Sequence, residues 1–159
     1  MRIVTIPDPI LYKPTISITD IAMAKKLGVE MLHFMEASYG VGLAAPQVGL
    51  SYSLFVVSVT GRAEDGHIYI NPEINLEDEQ TIGNESCLSM PGVKLPILRH
   101  TKLAMKYTDI SGKDTHLLAS GVLARIIQHE YDHLQGILIS DRFVTQNTIG
   151  NDAGTEIIK

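Results

Sequence analysis

Hydrophobic positions in the first third of the chain recur with a helical period. Apolar residues return about every third or fourth position from Ile21 to about Tyr39, which predicts an amphipathic helix. Thr19 or Asp20 can cap its first turn, and Gly40 follows its last. The apolar side chains of this helix are expected to pack in the core.

A second helical pattern begins at Ser120 or Gly121 and ends at Gly136. Its inward stripe consists of Leu123, Ile126, Ile127, Glu130 and Leu134. A carboxylate on such a stripe is unusual because a buried charge needs a partner. A metal-bound water near Glu130 would provide that partner.

Between the helices the pattern becomes extended, with short apolar runs separated by polar turns. Strands are predicted at residues 53–59, 67–70, 74–82, 93–98, 102–107 and 116–118, with a short one at 137–139. Asn71-Pro72 is expected to close the second strand, and residues 109–113 carry a hairpin turn signal. Residues 1–18 predict an irregular extended lead-in, and residues 40–49 a tight loop of small side chains.

These elements predict an α+β fold, with antiparallel strands around a central motif-bearing helix and a further helix near the N-terminus. Residues 1–143 form the expected catalytic domain, and residues 144–159 a polar C-terminal tail, partly mobile from Thr145. The length of 159 residues suits one domain with a buried core.

Composition narrows the class of protein. The net charge is −5 and there is no basic run, so nucleic acid is not an expected partner. The apolar runs are too short to span a bilayer, and the first residues lack the features of an export signal. With a single cysteine, Cys87, the chain fits a reducing compartment. The expected location is the cytoplasm, an organelle matrix or a phage-infected cytoplasm.

The second helix contains the pattern His-Glu-x-x-His. Residues four apart lie on one helical face, so His129 and His133 can hold one metal ion. Glu130 follows the first ligand, within reach of a water on that metal. This arrangement is typical of metal-dependent hydrolases.

The third ligand decides the class of metal site. One peptidase clan uses a histidine six residues after His133, but Ile139 stands there. A zinc endopeptidase could use Glu156, which lies in the polar tail. Cys87 is the better candidate, because one cysteine and two histidines leave an open catalytic position. A metal-binding module without turnover is the alternative outside enzymes.

Residues 40–49 superficially match a dinucleotide fingerprint, Gly-x-Gly-x-x-Ala. That fingerprint needs a strand before it and a helix after it, whereas here a helix pattern precedes it and Pro46 interrupts the next turn. We instead interpret this stretch as a loop that lets backbone groups approach a ligand. Gln47 is a neutral donor that can hold a carbonyl oxygen. His67 is expected to be a surface or strand histidine with no metal role, His33 a packing residue, and His100 and His116 parts of strands or turns.

Three stretches together resemble the signatures of peptide deformylase. They are residues 40–47 (GVGLAAPQ), 85–89 (ESCLS) and 128–136 (QHEYDHLQG), in the order of that family. Arg99 and the strand that comes after it are also similar. The resemblance extends from about Ile6 to Phe143, nearly the whole domain.

The resemblance implies hydrolysis of the N-formyl group of N-formylmethionyl peptides, which releases formate during N-terminal methionine processing. It implies one divalent metal, natively Fe²⁺, with Zn²⁺, Ni²⁺ or Co²⁺ also able to bind. The metal ligands would be Cys87, His129 and His133. Glu130 would be the general base toward a metal-bound water. Gln47 and the Leu88 backbone N–H would hold the oxygen of the attacked carbonyl.

The same resemblance implies how the peptide binds. Gly42 and its neighbours would pair with the substrate backbone. Five residues could line a pocket for the methionine side chain: Val41, Leu43, Leu88, Ile126 and His129. Glu85 and Arg99 would form an internal ion pair that braces the cysteine loop.

This chain departs from the family at two places. Ser86 precedes the metal cysteine, where the family usually has glycine, so the loop would be shifted or strained if that position needs a positive φ. Only about fifteen residues come after Phe143, where many bacterial members carry a long helix. Docking on the ribosome is therefore not predicted.

Overall fold

The computed structural model describes residues 1–144, which contain two α-helices and seven β-strands joined by turns and short 3₁₀ helices. The helices are α1 (Ile21–Ala37) and α2 (Gly121–Leu134). The strands are β1 (Gly42–Ala44), β2 (Leu54–Val57), β3 (His67–Leu76), β4 (Gln80–Cys87), β5 (Met90–His100), β6 (Lys102–Thr108) and β7 (Asp114–Ser120). The predicted α+β class is confirmed.

All paired strands are antiparallel. Five of them form one sheet in the order β1-β2-β3-β6-β7, and β4 and β5 form a separate hairpin. Along β2, Leu54 and Val56 pack with residues of α1, whereas Phe55 and Val57 pack with residues of α2. The sheet therefore separates the two helices. Because both faces are covered, β2 is an uninterrupted apolar run with no alternation.

Both predicted helices are present with nearly the expected limits. The Asp20 carboxylate caps α1 by accepting the N–H of Met23 at 2.9 Å. This helix ends at Ala37, two residues before the expected limit. The motif helix α2 begins at Gly121 and ends at Leu134, just before Gly136.

The prediction around Asn71-Pro72 is wrong. Strand β3 continues through these residues to Leu76, with a register shift between Ile70 and Glu73. A bulge tolerates a proline that has no N–H to donate. The Asn71 side chain accepts the N–H of Ile18 and donates to its carbonyl oxygen, both at 2.8 Å, which fixes the bulge. The single strand predicted at 74–82 is instead the end of β3, a turn and the start of β4.

Two other local predictions are corrected. Residues 137–139 form no strand, since a 3₁₀ helix begins at Ile139 and the N–H of Leu138 bonds the Asp141 carboxylate at 2.8 Å. Residues 40–49 hold the short strand β1 and a 3₁₀ helix (Ala45–Val48) in addition to loop. The lead-in also contains a 3₁₀ turn, Pro9–Tyr12.

The predicted polar tail and Glu156 lie outside the described residues, apart from Val144. Neither α-helix within residues 1–144 has the length and apolar character needed to cross a membrane.

Candidate metal centre and its cavity

Two elements of the fold bring the three predicted metal ligands together. His129 and His133 lie one turn apart on α2, and Cys87 is the last residue of β4. Ligand atoms of the three side chains lie within 4.8 Å of one another, and Cys87 Sγ is 3.2 Å from His133 Nε2. Within residues 1–144 no other group of histidine, cysteine and acidic side chains meets in this way. His33, His67, His100 and His116 lie outside this cluster.

This donor set fits a divalent cation. Metal–sulfur and metal–nitrogen bonds of about 2.3 and 2.0–2.1 Å would separate sulfur and nitrogen in a tetrahedral site by roughly 3.6 Å, close to the spacing found here. Burial lowers the pKa of His129, but hydrogen bonds to Cys87 and Glu85 outweigh it and raise that pKa to about 10. Burial and the neighbouring His129 lower the pKa of His133. Positive charge is therefore favoured at His129, whereas His133 favours the neutral form that can bind a metal.

Glu85 orients the His129 ring through its Nδ1 atom. Its Oε2 atom lies 2.9 Å from His129 Nδ1, which leaves Nε2 of that ring for a metal. The expected pair with Arg99 is confirmed, with two bonds of 3.0 and 2.9 Å to the Glu85 carboxylate. Burial raises the pKa of Glu85, but hydrogen bonds from His129 and Arg99 lower it to about 2. Glu85 is therefore a carboxylate that holds the cysteine strand against the histidine helix.

Sequence reasoning missed three further charged groups around this pair. Arg125 on α2 donates to Glu85 at 2.9 Å and to two backbone carbonyls of the β4–β5 hairpin. Asp132 accepts from Arg99, and also from Arg142 at 2.6 and 2.7 Å. A signal was present, because Asp132 lies between the two motif histidines and few charges are placed on a buried helix. Its partners, however, lie 33 and 10 residues away, beyond the reach of a local pattern.

Gln47 is held with its amide nitrogen toward the candidate ligand Cys87. Its Oε1 atom accepts the N–H of Ala44 at 2.8 Å, which assigns Nε2 to the opposite side. Nε2 lies 3.5 Å from Cys87 Sγ and 3.4 Å from Ser89 Oγ. Since Gln47 is buried, this donor is fixed before any ligand arrives.

Glu130 projects into the same region from α2. It is buried, and its Oε2 atom has no hydrogen-bond partner among the described residues. Burial raises the pKa of Glu130 to about 7. A β-carbon built on Gly42 would lie 2.3 Å from Glu130 Oε1, so only glycine leaves room for this carboxylate. Gly42 thus has a packing role that its predicted backbone role did not include.

A cavity of about 420 Å³ opens in front of these groups. Its lining includes Val41, Gly42, Leu88, Ile126 and His129, together with Gln47, Cys87 and Glu130. Leu88 lies in the two-residue turn between β4 and β5. Leu43 is the exception among the predicted pocket residues. Its side chain is fully buried in the core with α1, because neighbouring side chains of a strand point to opposite faces.

Ser86 raises no backbone difficulty. The residue is part of β4, pairs with Lys94 and is absent from the residues with positive φ. Ser86 therefore does not strain the backbone at this position. The strand register shifts between Ser86 and Cys87.

Nearly the whole chain is similar in sequence to known proteins. The model of the polypeptide deformylase family matches residues 1–148. A peptide deformylase of Dictyoglomus turgidum is 43% identical over 153 residues, covering 96% of this chain and 98% of the relative.

Solved structures of such proteins are also similar to this chain. The crystal structure of a peptide deformylase from Thermotoga maritima superimposes with a TM-score of 0.86 at 38% identity, covering 91% of this chain and 97% of the other. A probable peptide deformylase from Synechococcus phage S-SSM7 gives a TM-score of 0.84 at 35% identity, covering 90% and 99%.

Proposed function

The chain belongs to the polypeptide deformylase family, and we propose that it removes the formyl group of N-formylmethionyl peptides with one divalent metal and Glu130 as general base. Deformylation itself follows from family membership. The residue roles are the proposal. They rest on one observation: the ligand atoms of Cys87, His129 and His133 converge beside a cavity that Gln47 and Glu130 also line.

Cys87, His129 and His133 would hold the metal. A bound divalent cation lowers the pKa of a water molecule and polarises a carbonyl oxygen. A cysteine and two histidines leave a position open for such chemistry, whereas a structural zinc site is closed by four protein ligands. The resemblance to the family favours Fe²⁺, and the same donors accept Zn²⁺, Ni²⁺ or Co²⁺.

Glu130 would move the proton. Its carboxylate takes a proton from the attacking water as the new C–O bond forms at the formyl carbon. It then delivers that proton to the amine nitrogen as the C–N bond breaks, so water and the formyl amide become formate and a free amino terminus. The unpartnered Oε2 atom and the raised pKa of Glu130 support this role.

Gln47 Nε2 and the Leu88 N–H would stabilise the negative charge that develops on the formyl oxygen. We expect Gln47→Leu to lower kcat about 10²-fold, because it removes one fixed donor and keeps a similar side-chain volume. Metal content and KM should change little. Steady-state kinetics with metal analysis measures this, and a wild-type kcat would exclude Gln47 from the reaction.

The peptide would pair with the open edge of β1. This strand lies at one end of the sheet, so one of its edges has no neighbour in the sheet. The Ala44 N–H points away from β2 toward Gln47, and residues two apart on a strand face the same edge. Gly42 therefore presents its backbone groups on that open side. Val41, Leu88 and Ile126 provide apolar surface for the methionine side chain.

The test is formate release from formyl-Met-Ala-Ser by protein purified without oxygen, with the metal content measured in the same sample. We expect about one metal per chain and release of formate. Activity should fall in air if the metal is Fe²⁺, because iron(II) with a thiolate is readily oxidised.

Two other results would identify the alternatives. Cleavage of casein without formate release would indicate a zinc endopeptidase with a ligand such as Glu156. Tight metal binding with neither activity would indicate a binding module.

A further inference from the structure

Tyr39 is the most exposed large apolar side chain in residues 1–144, at 97% of its full accessible surface. It lies directly after α1 and contributes to the wall of the metal-site cavity. Neither the metal ligands nor the proposed proton transfer uses it.

The backbone of Tyr39 has a conformation that tyrosine rarely adopts. Its φ is +58°, in the left-handed region that glycine or asparagine usually occupies after a helix. The position is fixed by hydrogen bonds from the N–H of Tyr39 to Glu36 O and from the N–H of Gly40 to Met35 O, both at 3.0 Å. The tyrosine therefore adopts an unfavourable backbone conformation, and its ring makes almost no packing contacts in return. Such outliers point to function.

The cavity wall connects this ring to the reacting groups. Gly42 touches Glu130, and Tyr39, Gly40 and Val41 continue the same wall outward. Three residues of extended chain cover about 10 Å. A peptide with its formyl group beside Glu130 and its methionine beside Val41 would therefore bring its second or third residue to Tyr39.

The residues that line the cavity differ in polarity from one chain segment to another. On β4 and α2, the lining residues Asn84, Ser86 and Arg125 are polar or charged. Tyr39 is joined on its own wall by Val41, which is 44% exposed. At the outer part of the cavity, an apolar side chain of the peptide would lose water contact against Tyr39 and Val41.

We propose that Tyr39 is a specificity-determining residue, whose ring packs against an apolar side chain at the second or third position of the formylmethionyl peptide. This inference rests on the proposed function for the direction in which the peptide lies. It adds a substrate preference that methionine recognition does not supply.

The preference is measured as kcat/KM for formyl-Met-Ala-Ser, formyl-Met-Leu-Ser and formyl-Met-Ala-Leu. We expect the wild-type protein to favour at least one leucine peptide about fivefold, since a ring covering part of a leucine has an effect of that size. Tyr39→Asn should reduce this ratio to nearly one, and it should lower kcat/KM for the preferred leucine peptide more than kcat/KM for formyl-Met-Ala-Ser. Tyr39→Phe keeps the ring and should keep the ratio.

Folding is checked on the same variants. Asparagine tolerates a left-handed backbone, so Tyr39→Asn should melt at or above the wild-type temperature, and Tyr39→Gly about 1–3 °C higher. A leucine preference that survives Tyr39→Asn would overturn the proposal. Equal loss on all three peptides would do so as well, because a purely structural role acts on every substrate. No formate from any peptide with the wild-type protein would instead refute the proposed function.

Discussion

Replacement of Glu130 by glutamine is expected to lower kcat for formate release about 10³-fold while the protein keeps its metal. Glutamine has nearly the same shape, so it fits the space beside Gly42 that excludes any β-carbon. It cannot accept the proton of water, which removes general-base catalysis. Glu130 is not one of the three converging ligands, so metal content should be unchanged. Formate release and metal analysis on one preparation measure both quantities.

The matched control is Glu30→Gln, the same chemical change at an exposed site on α1. It should leave kcat within about twofold of wild type, because solvent-exposed substitutions away from the site have small effects. A Glu130→Gln protein with wild-type kcat would show that another group moves the proton. A Glu130→Gln protein without metal would show that Glu130 supports the ligands.

Sequence patterns predicted the helices and turns that depend on interactions between residues close in sequence. The periodicity of α1, its Asp20 cap and the β6–β7 hairpin could all be found within a few residues of sequence. The path through Asn71 and Pro72 could not, because the bulge depends on hydrogen bonds to Ile18, which is 53 residues away. A proline that usually ends a strand is accommodated there by tertiary contacts.

The candidate site divides in the same way. The four-residue spacing of His129 and His133 on one helix was sufficient to predict a shared metal. Predicting Cys87 as the third ligand required two further observations: that Ile139 cannot bind a metal, and that the chain resembles a known family. The spatial position of Cys87 depends on the register of the hairpin, which the sequence alone does not give. Arg125 and Asp132 were missed because their partners, on the hairpin and at Arg142, are brought to them only by the fold. Leu43 was misplaced because the pattern does not say which face of β1 meets the cavity.

The charged groups behind the site have a joint consequence. The Glu85 carboxylate accepts hydrogen bonds from Arg99 and Arg125 and contacts His129. The Asp132 carboxylate accepts hydrogen bonds from Arg99 and Arg142. The arginine partners hold both buried carboxylates in place. Burial raises the pKa of Glu85, but hydrogen bonds from His129 and Arg99 lower it. The hairpin that carries Cys87 and the helix that carries the histidines are therefore joined by ion pairs as well as by the proposed metal.

Replacement of Cys87 by serine is expected to weaken metal binding at least about 10²-fold and to abolish most activity. A neutral hydroxyl is a poorer ligand for these cations than a thiolate, and the shorter C–O bond draws it back from His133. The ion pairs of Glu85 do not involve Cys87, so the fold should persist with an unchanged circular dichroism spectrum. Competition with a chelator of known affinity measures the metal affinity directly.

Ser86→Gly is the matched control, since it changes the neighbouring residue of β4 without touching a ligand. Its metal affinity should equal that of the wild-type protein, because Ser86 has no strained φ that glycine would relieve. An unchanged metal affinity in Cys87→Ser would transfer the third ligand to another residue, with Glu156 the first to test. If Cys87→Ser lost the metal while Glu130→Gln kept it, holding the ion and moving the proton would be separate tasks, carried by different residues of one site.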